Sequence, residues 1–393
     1  MGFDEALVSA LAPDGGLYQP DETPTLADGW LDWGYADALT WSLEAYGAFD
    51  PGPGVAEAAR QYLHPEIAPL VPVGDRLVYE LFWGPTLSFK DHALQVLGRL
   101  LGRAVEGGRT VLVATSGDTG SAAIAGCKDQ PSLTTYVLFP EGRVTEFQRR
   151  QMTTVRSDNV HAVAVRGTFD DCQRMVKEAF SKIDGLLAVN SINWARIAAQ
   201  AGYYIYLGSR MRVPFDVVVP TGNFGNVYSC WLAKQMGVPI ETITLANNAN
   251  HGLANLVNSA GATSPTVTPT LAPAMDVAIP SNFERFSHDP TIEFSAGWAD
   301  DVDIVDTIAR VRADHGHLLD PHTAAAWKVG QDNLGDRPQV VVATAHPAKF
   351  SGAVVEATGS APELPEGYVS PMDLPERFET IEPIASALFA LIR

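Results

Sequence analysis

From residue 77 onward the chain alternates short apolar, β-branched runs with stretches of helical spacing, and nothing else in the sequence constrains the fold as strongly. The runs occupy residues 77–82, 110–115, 133–139, 160–165, 216–219 and 340–343. Between them the spacing predicts helices over 120–127, 145–152, 169–183, 194–211, 227–236 and 324–329. Strands that are apolar on both faces cannot border water. The pattern therefore predicts an α/β fold with mainly parallel sheets, covered by helices on both sides. Ligands in such folds sit beyond the carboxyl ends of the strands, where loops lead into helices. The first 75 residues are rich in Pro, Gly and Trp: 14–20 read as a turn, 30–33 and 38–48 as helices, and Asp50-Pro-Gly-Pro-Gly54 as a hard break. Residues 261–273 read as a loop or linker. The tail after Gly359 reads as a surface wrap ending in a helix near 384–391.

Charge and cysteine content narrow the function. The formal net charge is −19, which repels nucleic acid and anionic membranes, so neither is an expected partner. The three cysteines, Cys127, Cys172 and Cys230, are far apart, which supports neither a disulfide framework nor a zinc knuckle and suits a reducing compartment. No signal-peptide pattern opens the chain and no run approaches a membrane span, so the expected location is cytoplasmic. Three histidines and two aspartates fall within 314–322, but His315 and His317 flank a glycine and need not converge, so no metal is expected. The aromatic clusters near 30–46 and 203–206 read as core. No Gly-x-Ser-x-Gly elbow occurs.

Four stretches carry chemistry. In Gly84-Pro-Thr-Leu-Ser-Phe-Lys-Asp91, Lys90 stands at a turn-to-helix junction with apolar neighbours on both sides. A lysine there is ordinarily a snorkelling side chain; desolvated, it is an amine suited to a Schiff base. Thr115-Ser-Gly-Asp-Thr-Gly-Ser121 follows a strand and opens a helix, so its free N–H groups suit a carboxylate or phosphate. Pro220-Thr-Gly-Asn-Phe-Gly-Asn226 has two glycines three apart among small polar residues, a backbone cup for a phosphate dianion. It is neither a P-loop nor a dinucleotide fingerprint. A phosphate cup without a nucleotide signature, together with a candidate Schiff-base lysine, points to pyridoxal phosphate. The fourth stretch, Ala343-Thr-Ala-His-Pro-Ala-Lys349, places the Thr344 hydroxyl at a strand end, where it can bond a ring nitrogen without protonating it.

With these residues in view, the chain resembles the threonine synthases, pyridoxal-phosphate enzymes of fold type II, the family that includes tryptophan synthase β. Besides the four stretches, the resemblance covers Asp14-Gly-Gly-Leu-Tyr18, Gly167-Thr-Phe-Asp-Asp171, Asn190-Ser-Ile-Asn-Trp-Ala-Arg196 and Ser281-Asn-Phe-Glu-Arg285. The chain is short for the microbial and fungal subgroup it is similar to, which implies trimmed loops. The resemblance implies that Lys90 holds the cofactor and acts as acid and base. It implies that Gly222, Asn223, Phe224, Gly225 and Asn226 cradle the phosphate, that Thr344 faces the pyridine nitrogen, and that Asp118 lies near the phenolic oxygen. Ser116, Gly117, Thr119 and Gly120 would bind the substrate carboxylate. Ser191, Asn193 and Arg196 are candidates for the substrate phosphate, with Lys349 and Arg285 as outsiders. The implied reaction converts O-phospho-L-homoserine and water to L-threonine and phosphate. The alternatives are a phospholyase releasing 2-oxobutyrate and ammonia, and a silent binding protein that kept the fold. The expected domains are 1–76, then 77–109 with 211–393 as the large cofactor domain, and 110–210 as a smaller mobile one. The assembly expected is a monomer or homodimer.

Overall fold

The computed structural model describes residues 2–12, 14–258, 266–286 and 294–392. In chain order its elements are α1 (Phe3–Ser9), α2 (Tyr35–Ala45), α3 (Gly52–Ala59), β1 (Leu70–Val73), β2 (Arg76–Glu80), α4 (Asp91–Ala104), β3 (Arg109–Ala114), α5 (Asp118–Cys127), β4 (Leu133–Pro140), α6 (Glu146–Thr153), β5 (Val160–Val165), α7 (Phe169–Phe180) and α8 (Trp194–Met211). They continue with β6 (Phe215–Pro220), α9 (Gly225–Met236), β7 (Ile240–Asn247), α10 (Gly252–Val257), β8 (Ser295–Trp298), α11 (Asp301–His315), α12 (Pro321–Asp332), β9 (Gln339–Ala343), α13 (Ser351–Thr358), β10 (Glu379–Ile381) and α14 (Ala385–Leu391). No described helix is long and apolar enough to cross a membrane.

The chain clusters into two compact units. The first holds Met1–Tyr18, Lys90–Arg196 and Gly367–Arg393. Its sheet has the order β10-β5-β4-β3, with every pair parallel. One face of that sheet packs Leu112, Leu138 and Val163 against Met175, Ala179 and Leu388 of α7 and α14. The tail is tied down by the Arg149 guanidinium, which donates to both carboxylate oxygens of Glu376 at 3.0 Å, and by Gln151 Nε2, which donates to the Tyr368 hydroxyl at 2.8 Å. Helices α4 and α5 meet backbone to backbone. A Cβ on Gly98 would lie 2.0 Å from the Gly126 carbonyl oxygen, and one on Gly126 would lie 2.2 Å from that of Leu94. Ala or anything larger at either position would force the two helices apart.

The second unit holds Gln19–Phe89 and Ile197–Glu366. Its sheet has the order β1-β2-β9-β6-β7-β8. Only the β1–β2 pair is antiparallel. Val78, Val218 and Val341 of adjacent strands share a core with Ile304, Ile308, Trp327 and Val329 of α11 and α12. These bounds differ from the sequence expectation: residues 1–76 form no unit of their own but divide at Tyr18, α4 and the tail from Gly367 belong to the first unit, and α8 from Ile197 onward belongs to the second.

Most predicted elements lie within a few residues of the observed ones. Four strands were not anticipated. Residues 240–247 carry Glu241 and two threonines that break up the apolar run, β1 and β8 have only four residues each, and β10 has three. The predicted break at 50–54 is corrected: α3 begins at Gly52, with Pro53 in its first turn. A proline there loses nothing, since first-turn N–H groups have no intrahelical acceptor. Part of the predicted 261–273 linker lies outside the described residues.

Candidate active site

In the second unit three parallel neighbours, β2, β9 and β6, end side by side. Their carboxyl ends feed the lysine loop 81–89, the Thr344 loop and the 221–226 loop respectively. Leu87, fully buried at φ +57°, turns the lysine loop toward the Thr344 loop. The two are then stitched together: His346 N donates to the Leu87 carbonyl at 3.1 Å, Phe89 N donates to that of Thr344 at 2.9 Å, and Ser88 bridges Ala345. The buried Lys349 amine donates to the Thr86 carbonyl at 2.6 Å. Lys349 thus braces the turn before Lys90 and does not present itself to a substrate. Burial holds the His346 imidazole down to about 4, so it is neutral near pH 7.

The 221–226 loop is a tight turn that opens α9. Gly222 is walled by a short 3-10 turn, where a Cβ would meet the Ala274 carbonyl oxygen at 2.2 Å. His322 holds that turn. Its Nδ1 is 2.7 Å from Asp320 Oδ1 and its Nε2 accepts from Ala274 N at 3.2 Å, which fixes a neutral tautomer with the proton on Nδ1. Of the histidines at 314–322, His322 thus braces the turn that walls Gly222. Asn223 accepts from Asn282 N and Nδ2 through its carbonyl at 3.3 and 3.0 Å. Phe224, at φ +68°, caps α9 and drives its ring into Phe283, Phe286 and Phe294. The first-turn N–H groups of α9 follow, donors that a helix start leaves without intrahelical acceptors.

Asn226 supplies the test of fit. It is 7% exposed; its Oδ1 accepts from the Tyr203 and Tyr204 hydroxyls at 2.5 and 2.8 Å, while its buried Nδ2 has no partner among the described residues. An orphan buried donor costs about 1–3 kcal/mol. Beside a glycine-walled helix start it suits a bound phosphate. The residues present therefore fit pyridoxal phosphate. The aromatic cluster at 203–206, read from sequence as core, is core that also orients the cup. A hydroxyl on a deeply buried tyrosine needs an acceptor, and that was the signal to follow.

In the first unit Lys90 Nζ lies 3.3 Å from Asp118 Oδ2, with side chains 12% and 4% exposed. Lys90 precedes α4 and Asp118 opens α5, and the spacing of 28 residues recurs in the Gly98–Gly126 contact, so the helices run side by side in the same direction. In sequence Lys90 has apolar neighbours on both sides; the fold adds the Asp118 carboxylate beside its amine. Thr115 Oγ1 accepts from the N–H groups of Gly117 and Gly120, both at 2.9 Å. Those two donors, expected for the substrate carboxylate, are thus engaged within the fold. Ser116 is exposed and Thr119 half-buried.

Asn193 is also engaged. Its Nδ2 donates to the Leu7 and Ala188 carbonyls at 2.8 and 2.9 Å, and its Oδ1 accepts from Ala195 N at 3.0 Å. Its amide fastens the start of α8 to α1. Arg196 is buried and donates through Nη1 to the Val189 carbonyl at 3.2 Å. Ser191 is half-buried. Arg285 is buried in the second unit, bonded to Asn282, 5.7 Å over the Tyr228 ring, and held down to about 10 by burial.

Lys90 stands at the start of α4, and a glycine turn follows β6 and opens α9. Residues 77–345 match the family of pyridoxal-phosphate dependent enzymes, and the chain belongs to that class. Residues 323–392 match the threonine synthase C-terminal family. The chain is 38% identical to threonine synthase of Pseudomonas aeruginosa, over 96% of this chain and 92% of that one. The crystal structure of pyridoxal-phosphate-bound threonine synthase from Brucella melitensis superposes with a TM-score of 0.93 at 35% identity, covering 100% of this chain and 96% of that one. That of threonine synthase from Escherichia coli gives 0.90 at 29% identity, covering 100% and 96%. The chain belongs to the threonine synthase family, fold type II pyridoxal-phosphate enzymes, and is a lyase of threonine biosynthesis.

Proposed function

We propose that the chain converts O-phospho-L-homoserine and water to L-threonine and phosphate, with Lys90 as covalent anchor of the cofactor and as the acid and base of the reaction. The observation that carries this reading is the order β2-β9-β6. Strands lie about 4.8 Å apart, so loops two strands apart are separated by about 10 Å at their roots, a scale that suits the two ends of one pyridoxal phosphate. The loop after β2 delivers Lys90 and the loop after β6 is the anion cup. Gly222, Asn223, Phe224, Gly225 and Asn226 would hold the phosphate, and Thr344, after the strand between them, would face the ring nitrogen.

The bound cofactor supplies an electron sink for the charge left at the substrate α carbon. Lys90 Nζ takes the α proton and then a β proton, phosphate leaves as its bond to the γ carbon breaks, and after water has added at the β carbon Lys90 returns protons to the γ and α carbons. Asp118 Oδ2 stabilises Nζ each time it carries a proton. Ser116 and Thr119, with the backbone of 116–120, bind the substrate carboxylate at the start of α5. Gly117 and Gly120 serve there mainly by shaping the loop. Arg196, with Ser191, is the candidate for the substrate phosphate, while Asn193 holds that segment in place.

The test is product analysis of O-phosphohomoserine turnover by purified protein, with and without added pyridoxal phosphate. Threonine and phosphate in equal amounts, dependent on the cofactor and lost in Lys90→Ala, support the reading. Release of 2-oxobutyrate and ammonia, or turnover without Lys90, overturns it.

A further inference from the structure

We propose that Gln148 is a positioning residue for the lysine site: it holds Asp118 ionised and turned toward Lys90, an inference that rests on Lys90 being the cofactor's anchor. Gln148 is the third residue of α6 and 2% exposed. Its Oε1 accepts from Thr145 N and Oγ1, both at 3.2 Å, and its own N–H donates to Thr145 Oγ1 at 3.2 Å. This reciprocal cap decides which end of the amide points where. Turned over, the amide would set its NH2 against the Thr145 N–H and its oxygen against a carboxylate. The donor Nε2 is therefore the end that meets Asp118 Oδ1, at 2.8 Å, while Asp118 Oδ2 faces Lys90 Nζ at 3.3 Å.

The chain makes room for this contact. Gly117 adopts φ +139°, and a Cβ there would lie 2.5 Å from Gln148 Cδ and 2.6 Å from Nε2. Capping alone does not explain the residue, because Glu serves a capping box as well as Gln does. A Glu at 148 would instead set two carboxylates against each other at the distance of a hydrogen bond. The need for a donor toward Asp118 distinguishes the two. A hydrogen bond to a carboxylate favours its charged form, and a charged Asp118 in turn keeps the proton on Lys90.

The experiment follows the attachment of added pyridoxal phosphate to full-length, cofactor-free protein by its visible absorbance across pH. Attachment requires the uncharged amine, so the midpoint of the rate profile reports on Lys90. In Gln148→Leu the midpoint falls by about one pH unit, which makes attachment about tenfold faster below it. In Gln148→Glu, which keeps the helix cap and so controls for folding, a second negative charge moves the midpoint up. In an Asp118→Asn background Gln148→Leu adds no further shift, because it acts through Asp118. Unmoved midpoints, shifts of the same sign in both variants, or a full Gln148→Leu shift without Asp118 overturn the proposal. The Lys90→Ala control separates the two readings. If the band persists there, the assignment of Lys90 falls and takes this inference with it; if it vanishes while the Gln148 variants match wild type, this inference alone falls.

Discussion

Gly126→Ala tests how the fold delivers Lys90 to Asp118. The added Cβ would lie 2.2 Å from the Leu94 carbonyl oxygen, a backbone atom that cannot rotate aside. Contact near 3.4 Å requires α4 and α5 to separate by about 1.2 Å there. Overpacking of this kind costs about 3 kcal/mol, whereas replacing Gly by Ala inside a helix returns about 1 kcal/mol. The net expectation is a loss of about 2 kcal/mol. The same displacement, carried along α4, would lengthen the 3.3 Å Lys90–Asp118 contact toward 4.5 Å. At an effective dielectric near 20 that weakens the attraction by about 1 kcal/mol. Denaturant unfolding of the cofactor-free protein reads the first quantity, and the pH midpoint of cofactor attachment, shifted down by less than about one unit, reads the second. A variant as stable as wild type with an unmoved midpoint would show that the helices tolerate the methyl group, and the argument from the glycine contact would fail.

Two further predictions concern the second unit. Asn226→Ala removes the acceptor that the buried Tyr203 and Tyr204 hydroxyls share and should cost about 1–3 kcal/mol in denaturant unfolding; Asn226→Asp keeps the acceptor, so it should unfold closer to wild type yet bind pyridoxal phosphate about tenfold more weakly or worse, as read by titration. The Glu80 carboxyl is pushed up to about 7 by burial, against the opposing bond from Trp83 Nε1 at 2.8 Å. A carboxyl raised in the folded chain holds its proton more tightly there, so its contribution is complete below about 4.5 and is lost as pH rises through about 7. Glu80→Gln should therefore gain on wild type by about 3 kcal/mol at pH 8, and the gain should vanish as pH falls to about 4.5; a gain independent of pH would refute the sign.

Periodicity carried the sheet order's raw material, since buried parallel strands and their covering helices leave runs that can be read directly. It carried less of β7, where Glu241 and the threonines interrupt the run, and could not reveal which strands are neighbours. Residues whose chemistry is local to a loop, such as Lys90 and Gly222–Asn226, stand out because few residue types suit those turns. The roles of Gln148, Tyr203, Tyr204 and His322 did not stand out, because each acts on a residue 22 to 48 positions away. The Thr145-x-x-Gln148 spacing marks a helix cap, but nothing in sequence says that the other end of the amide meets a carboxylate. Asn193 shows the converse: a polar residue inside a functional motif whose bonds all go to the fold.

The most direct measurement is to reduce the cofactor-loaded protein with borohydride, digest it, and locate the pyridoxyl group by mass spectrometry. The account predicts the label on the peptide that carries Lys90, and a markedly smaller amount of it when Asn226→Asp protein is loaded at the cofactor concentration that half-saturates wild type. A label on any other lysine, or no stable label at all, would contradict it.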